Sequence, residues 1–150
     1  MGYTTRFTGA IALSRKLTFA EAKELLEIHE MDPNKAKEIT GVLSYLQWVP
    51  ADTLEHIVWD MGEKFYDYIP LLKWVCRWLK DKGITADGKL FWDGEYNGDT
   101  GQLVVTNNNV LVEQDKAEFT PKPLTLRALG EMALEQITNC NETITPEPLP

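Results

Sequence analysis

Between Asp93 and Asp99 the chain reads Asp-Gly-Glu-Tyr-Asn-Gly-Asp, a run of oxygen donors that invites a calcium reading. Oxygen-bearing side chains stand at positions 1, 3, 5 and 7 of an EF-hand count, and Gly98 takes position 6, where the loop must turn sharply. The count then breaks. Position 12 is Val104 in place of a bidentate Glu, position 8 is Thr100 in place of an apolar residue, and both flanks are patterned as strands. A tight hairpin loop made of residues that tolerate unusual backbone angles accounts for the same composition, and no metal or other cofactor is expected.

The same carboxylates, Asp93, Glu95 and Asp99, would serve general acid–base chemistry only if one were held dry while another stayed charged. They cluster with Tyr66 and Tyr68 only if the helix that follows those tyrosines starts over the loop. Solvated loop charges explain the three residues without that condition. Other catalytic residue types are sparse. His29 and His56, the two histidines, fall on different elements with no ligand at metal spacing: His29 at a helix end that suits a cation, His56 on a strand face. Ser14 and Ser44 lack a nucleophile-elbow sequence, Cys76 and Cys140 read as separate buried thiols, and no glycine-rich phosphate loop is present.

Aromatic residues are the more distinctive feature. Trp48, Trp59, Phe65, Tyr66, Tyr68, Trp74, Trp78, Phe91, Trp92 and Tyr96 fall within about fifty residues. With Leu71, Trp74 and Trp78 make a core stripe at helical spacing, whereas Tyr66, Tyr68, Trp92 and Tyr96 lie at element ends and form the expected surface set. Trp and Tyr beside acidic groups suit protein interfaces, and they suit stacking on a purine equally well. The candidate binding residues are therefore Tyr66, Tyr68, Trp92, Asp93, Glu95, Tyr96 and Asp99.

The elements that must position these residues are legible in outline. Thr4 to Leu13 reads as a strand. Thr18 and Glu21 form a capping box opening a helix from Phe19 to Glu30, with Ala22, Leu25, Leu26 and His29 as its inner face. Asp32-Pro33-Asn34 closes it, and Asn34 to Ile39 adds a short helical turn. Tyr45 to Val49 and Leu54 to Trp59 form a hairpin, with Pro50 ending its first strand. A second long helix lies within Glu63 to Lys82 and ends at Gly83. Pro70 kinks it if it begins near Glu63 and sits in its first turn if it begins near Tyr68. Lys89 to Glu95, Gly101 to Asn107 and Val110 to Gln114 make a three-stranded meander. Leu124 to Thr138 forms a last amphipathic helix, and the run beyond Cys140 is expected to fray. The order β-α-β-β-α-β-β-β-α implies an α+β domain over residues 1–120, in which an antiparallel sheet of about five or six strands carries helices mainly on one face, followed by a C-terminal segment at 121–150.

Length and charge narrow the partners. The 150 residues suit one domain, and 23 acidic against 15 basic side chains leave a net charge of -8. That field repels phosphate backbones, so direct nucleic-acid binding is not expected, and a charged partner should present a basic surface. The N-terminus is too weakly apolar for a signal peptide or membrane span, and Arg6 stands where a myristoylation pattern needs Ser or Thr, so a cytoplasmic protein is expected. An exposed meander edge would favour a homodimer.

The GEKFYDY run from Gly62 to Tyr68 is followed by an apolar helix, Gly83-Ile84, Gly88-x-Leu90-x-Trp92-x-Gly94-Glu95, Asp99-x-Gly101-x-Leu103-x-Val105 and Asn108-x-Val110. This succession resembles a group of small uncharacterised proteins from phages, prophages and bacterial genomes. The likeness spans roughly residues 45–112, and Pro70 departs from its pattern. It carries no established activity; it implies a small phage-type protein acting in the host cytoplasm and assigns no catalytic residue. Acidity, aromatic surplus and the lack of catalytic apparatus together favour a non-enzymatic protein that docks on a host defence or regulatory component and inhibits it. A small-ligand or nucleotide site between the start of the second long helix at Tyr66 and Tyr68 and the Trp92–Asp99 loop is the alternative, and a metal-assisted hydrolase using Asp93, Glu95 and Asp99 is a third reading.

Overall fold

Phe7, Ile11 and Leu13 share one face of the first strand, and covering that face requires partners from distant parts of the chain. The computed structural model, which describes residues 2–115, supplies them. In chain order the elements are β1 (Arg6–Leu13), α1 (Phe19–Glu30), α2 (Pro33–Thr40), β2 (Trp48–Pro50), β3 (His56–Trp59), α3 (Tyr68–Asp81), β4 (Ala86–Asp93), β5 (Thr100–Thr106) and β6 (Asn109–Gln114). The strands form one six-stranded sheet in the order β2-β3-β1-β4-β5-β6, with every pairing antiparallel. This is the α+β architecture expected from the sequence. The final predicted helix at 124–138 and the tail with Cys140 lie outside the described residues.

Period-two alternation separates the faces of the sheet. Phe7 and Ile11 on β1, Leu90 and Trp92 on β4, and Leu103 and Val105 on β5 are buried, and they join Leu71, Leu72, Val75, Cys76 and Leu79 of α3 in one core. Arg6, Thr8, Asp87, Lys89, Phe91 and Asp93, on the opposite face, are exposed. Each fully buried leucine contributes about 1.5–3 kcal/mol. The buried Cys76 thiol is pushed up to about 12 by desolvation and stays a packing group.

Local chemistry fixes the helix ends. Thr18 Oγ1 accepts from the Glu21 amide at 3.1 Å, and Glu21 accepts from the Thr18 amide at 2.9 Å, so the capping box closes. Arg15 grips the same Glu21 with two bonds of 2.9 Å. That bond, reinforced by the Thr18 amide, holds the Glu21 carboxyl down at about 2. The inner face of α1 is Ala22, Leu25 and Ile28; Leu26 is 42% exposed, contrary to the expected face, because burying Ile28 turns Leu26 about 100° off the core.

The short turn expected after Pro33 is a full eight-residue helix, α2, because Asp32 caps two of its amides at 2.9 and 3.1 Å and Gly41 ends it with φ 78°. α3 begins at Tyr68, which places Pro70 in its first turn, where no ladder donor is lost. It closes as a Schellman motif: the Ile84 amide donates to Leu79 and the Gly83 amide to Lys80, both at 2.9 Å, with Gly83 at φ 76°. β4 starts at Ala86 and ends at Asp93, earlier than the expected Lys89 to Glu95. β1 pairs with it residue by residue from Leu13↔Ala86 to Arg6↔Asp93, and the ladder overrides the turn character of Asp87-Gly88. β2 likewise runs Trp48–Pro50 and not Tyr45–Val49, set by its register Trp48↔Trp59. No helix among the described residues is long and apolar enough to cross a membrane.

Candidate functional site

Antiparallel pairing of Arg6 with Asp93 brings the residues before β1 alongside those after β4, and this register builds the site. The Tyr3 hydroxyl donates to Asp99 Oδ2, and the Trp92 indole Nε1 donates to Asp99 Oδ1 at 3.0 Å. The Tyr3 oxygen also accepts from the Tyr96 amide at 3.0 Å, and its ring lies 5.0 Å from that of Tyr96. Next to it, the Thr4 amide donates to Glu95 Oε2 at 2.5 Å, and the Tyr3 amide to the Tyr66 hydroxyl at 3.3 Å. Tyr3 thus lies between the tyrosine before α3 and the β4–β5 loop. Burial, and then the neighbouring Asp99, raise the Tyr3 phenol above its ordinary pKa; the same two causes raise Tyr68.

Two glycines make room for this arrangement. Gly101 pairs with Trp92 across the β4–β5 ladder, and a Cβ there would overlap the indole ring. A Cβ on Gly94 would overlap the Asp99 carboxylate and the Tyr3 hydroxyl. The aromatic floor continues inward: Tyr68 lies 6.2 Å from Trp92 and 4.9 Å edge-on to Phe7, which packs on Trp48 at 5.0 Å. Trp48 Nε1 donates to the Tyr68 carbonyl at 2.9 Å, which ties the start of α3 to β2.

The seven residues singled out in the sequence meet at one end of the sheet but divide by exposure. Tyr66 and Tyr96 are 55% and 70% exposed, Asp93 and Glu95 are exposed, and Asp99 is half-buried. Trp92, expected at the surface, is 5% exposed, because the residue opposite it is glycine and its indole folds onto the sheet. Tyr68, also expected at the surface, is half-buried among Phe7, Phe65 and Trp92. Asp93 and Glu95 line a depression of about 280 Å³ with Thr4, Arg6 and Gly94. Among the described residues no group of three or more His, Cys, Asp or Glu side chains is placed to hold a metal ion.

Tyr3 is the participant that sequence reasoning misses. The signal for it lies in the β1–β4 register, which long-range pairing decides. α1 also carries a shallow apolar depression of about 470 Å³, lined by Phe19, Ala22, Leu26 and Leu54 with Lys23, Glu27 and Glu30 at its rim; Phe19 is 86% exposed. His29, in the last turn of α1, donates from Nδ1 to the Leu46 carbonyl at 2.7 Å, with Asp60 at 3.6 Å. That bond fixes the tautomer with the proton on Nδ1 and anchors the segment leading into β2. No protein-family model, no curated protein sequence and no solved structure matches the chain.

Proposed function

We propose that the chain is a non-enzymatic binding protein of phage type that docks on a basic surface of a host protein, a defence or regulatory component, and inhibits it. The observation that carries this reading is the rim around Tyr3: exposed Tyr66 and Tyr96 stand beside the carboxylates of Asp93 and Glu95. Tyrosine supplies rigid amphipathic contact area at low entropic cost, and adjacent carboxylates select cationic partners. The net charge of -8 adds long-range attraction to a basic target. The Tyr3–Asp99–Trp92 bonds hold the loop in one conformation before binding, which lowers the ordering cost.

The geometry of the carboxylates favours docking over hydrolysis. Asp99 accepts from two side chains and Glu95 from a backbone amide, so both are engaged in holding the loop. The test is affinity capture from host cytosol with the wild-type chain and with a Tyr66→Ala/Tyr96→Ala/Glu95→Lys variant, at low and high salt. A stoichiometric protein retained only by the wild type and released by salt is the expected result. A small molecule retained equally by both proteins, with no protein partner, would turn the reading toward a ligand site.

A further inference from the structure

The sheet is finished differently at its two edges. β2 is three residues long and ends on Pro50, two devices that discourage another strand from pairing there. β6 runs six residues, Asn109–Gln114, with no Pro, Gly or Lys, and its register with β5 is unbroken. Among the described residues nothing pairs with its outer edge. Leu111 and Val112, in the middle of that edge, are 57% and 39% exposed.

The direction of each β6 amide follows from the turn. Asn107 and Asn108 both have positive φ, 49° and 69°, and close a two-residue hairpin on the pair Thr106↔Asn109. At the other end the Asp115 amide donates to the Thr100 carbonyl at 3.0 Å. Bonding alternates along an antiparallel ladder, so Asn109, Leu111, Glu113 and Asp115 turn their backbone groups to β5. Val110, Val112 and Gln114 therefore turn theirs outward, and Val112 is the midpoint of the set.

We infer that β6 is a homodimerisation edge: β6 of a second copy pairs with it antiparallel about a two-fold axis at Val112, joining the two sheets. In that register Val112 exchanges backbone bonds with Val112 of the second copy, and Val110 does so with Gln114 of the second copy, which satisfies every outward group of the strand. On the alternating faces Val112 meets its own mate and Leu111 lies opposite Glu113 of the second copy, so no like charges stand face to face. A foreign strand could satisfy the same amides, but the spacing about Val112 is self-complementary, and the protected β2 edge makes assembly stop at two. The charge of -8 on each copy opposes the encounter, so association strengthens as salt rises. This is the reverse of the salt response expected for docking on a basic partner, so either can fail without the other.

The test is sedimentation velocity of the full chain up to about 0.5 mM, at about 50 and 500 mM NaCl, for wild type, Val112→Pro and Val112→Lys. Proline at 112 removes an outward donor and no bond to β5; lysine keeps the backbone and sets two ammonium groups against each other at the axis. The expected result is a wild-type monomer–dimer equilibrium that tightens with salt and weakens at least tenfold in both variants, with circular dichroism unchanged in Val112→Lys. A wild type that stays monomeric throughout, or a dimer indifferent to Val112→Lys, would overturn the inference.

Discussion

Asp99 anchors the candidate rim, because its two oxygens take the Tyr3 hydroxyl and the Trp92 indole and so fasten the start of the chain to the β4–β5 loop. Replacing it with alanine leaves both donors without a protein acceptor, one of them on a buried ring. Asp99→Ala should lower stability by about 2–4 kcal/mol and Tyr3→Phe by about 1 kcal/mol, read as shifts in urea midpoint. The phenols of Tyr3 and Tyr68 have raised pKa values, so above the ordinary tyrosine value of 10.0 the unfolded chain releases their protons before the folded one does. Stability from these groups is complete below that pH and is lost as the pH rises through the folded values. Ultraviolet titration should show two of the five tyrosines ionising later than the rest, and Asp99→Ala should bring Tyr3 back toward the others. In the sequence Asp99 is visible as a loop carboxylate. Its task is not, because Tyr3 lies 96 residues away and only the β1–β4 ladder brings the two together.

Elements governed by local chemistry are the ones the sequence discloses. α1 is marked by Thr18 and Glu21 at both the residue and the bond level, and the capping box forms at the expected place. Thr18→Ala should cost about 1 kcal/mol in thermal or urea unfolding. The Arg15 guanidinium and the Thr18 amide hold the Glu21 carboxyl down at about 2, below the ordinary 4.5, so its contribution is present above pH 4.5 and fades as the pH falls toward 2. The acid limb of the stability profile should therefore be shallower for Glu21→Gln. Asn108 shows where local reading stops. Its left-handed backbone suits the hairpin turn, as expected of an Asn run, but its amide also donates to the Cys76 and Ile84 carbonyls at 3.0 Å each, and its oxygen accepts from Ala86 at 3.1 Å. Asn108→Gly keeps the turn and loses all three bonds, and should cost about 2–4 kcal/mol, whereas Asn107→Gly should be nearly neutral. The β4 start and the exposure of Leu26 are hidden in sequence for the same reason: strand pairing and the rotation of α1 on its neighbours are decided by residues far along the chain.

At the scale of the molecule, the described residues form three helices and one sheet with a buried face, the chain carries a net charge of -8, and the aromatic and acidic rim meets solvent at one end of the sheet. Composition makes both the acidity and the aromatic surplus visible, but how that surplus divides between core and surface depends on packing: Trp92 goes under the sheet while Tyr66 and Tyr96 stay outside. The most direct measurement is affinity capture from host cytosol by the wild-type chain and the Tyr66→Ala/Tyr96→Ala/Glu95→Lys variant, with salt raised from about 50 to 500 mM across a screening length falling from roughly 14 to 4 Å. Docking through the rim predicts one stoichiometric protein with a basic surface, bound by the wild type at low salt, released at high salt and absent from the variant. A partner held equally by the variant, or binding that strengthens with salt, would contradict it.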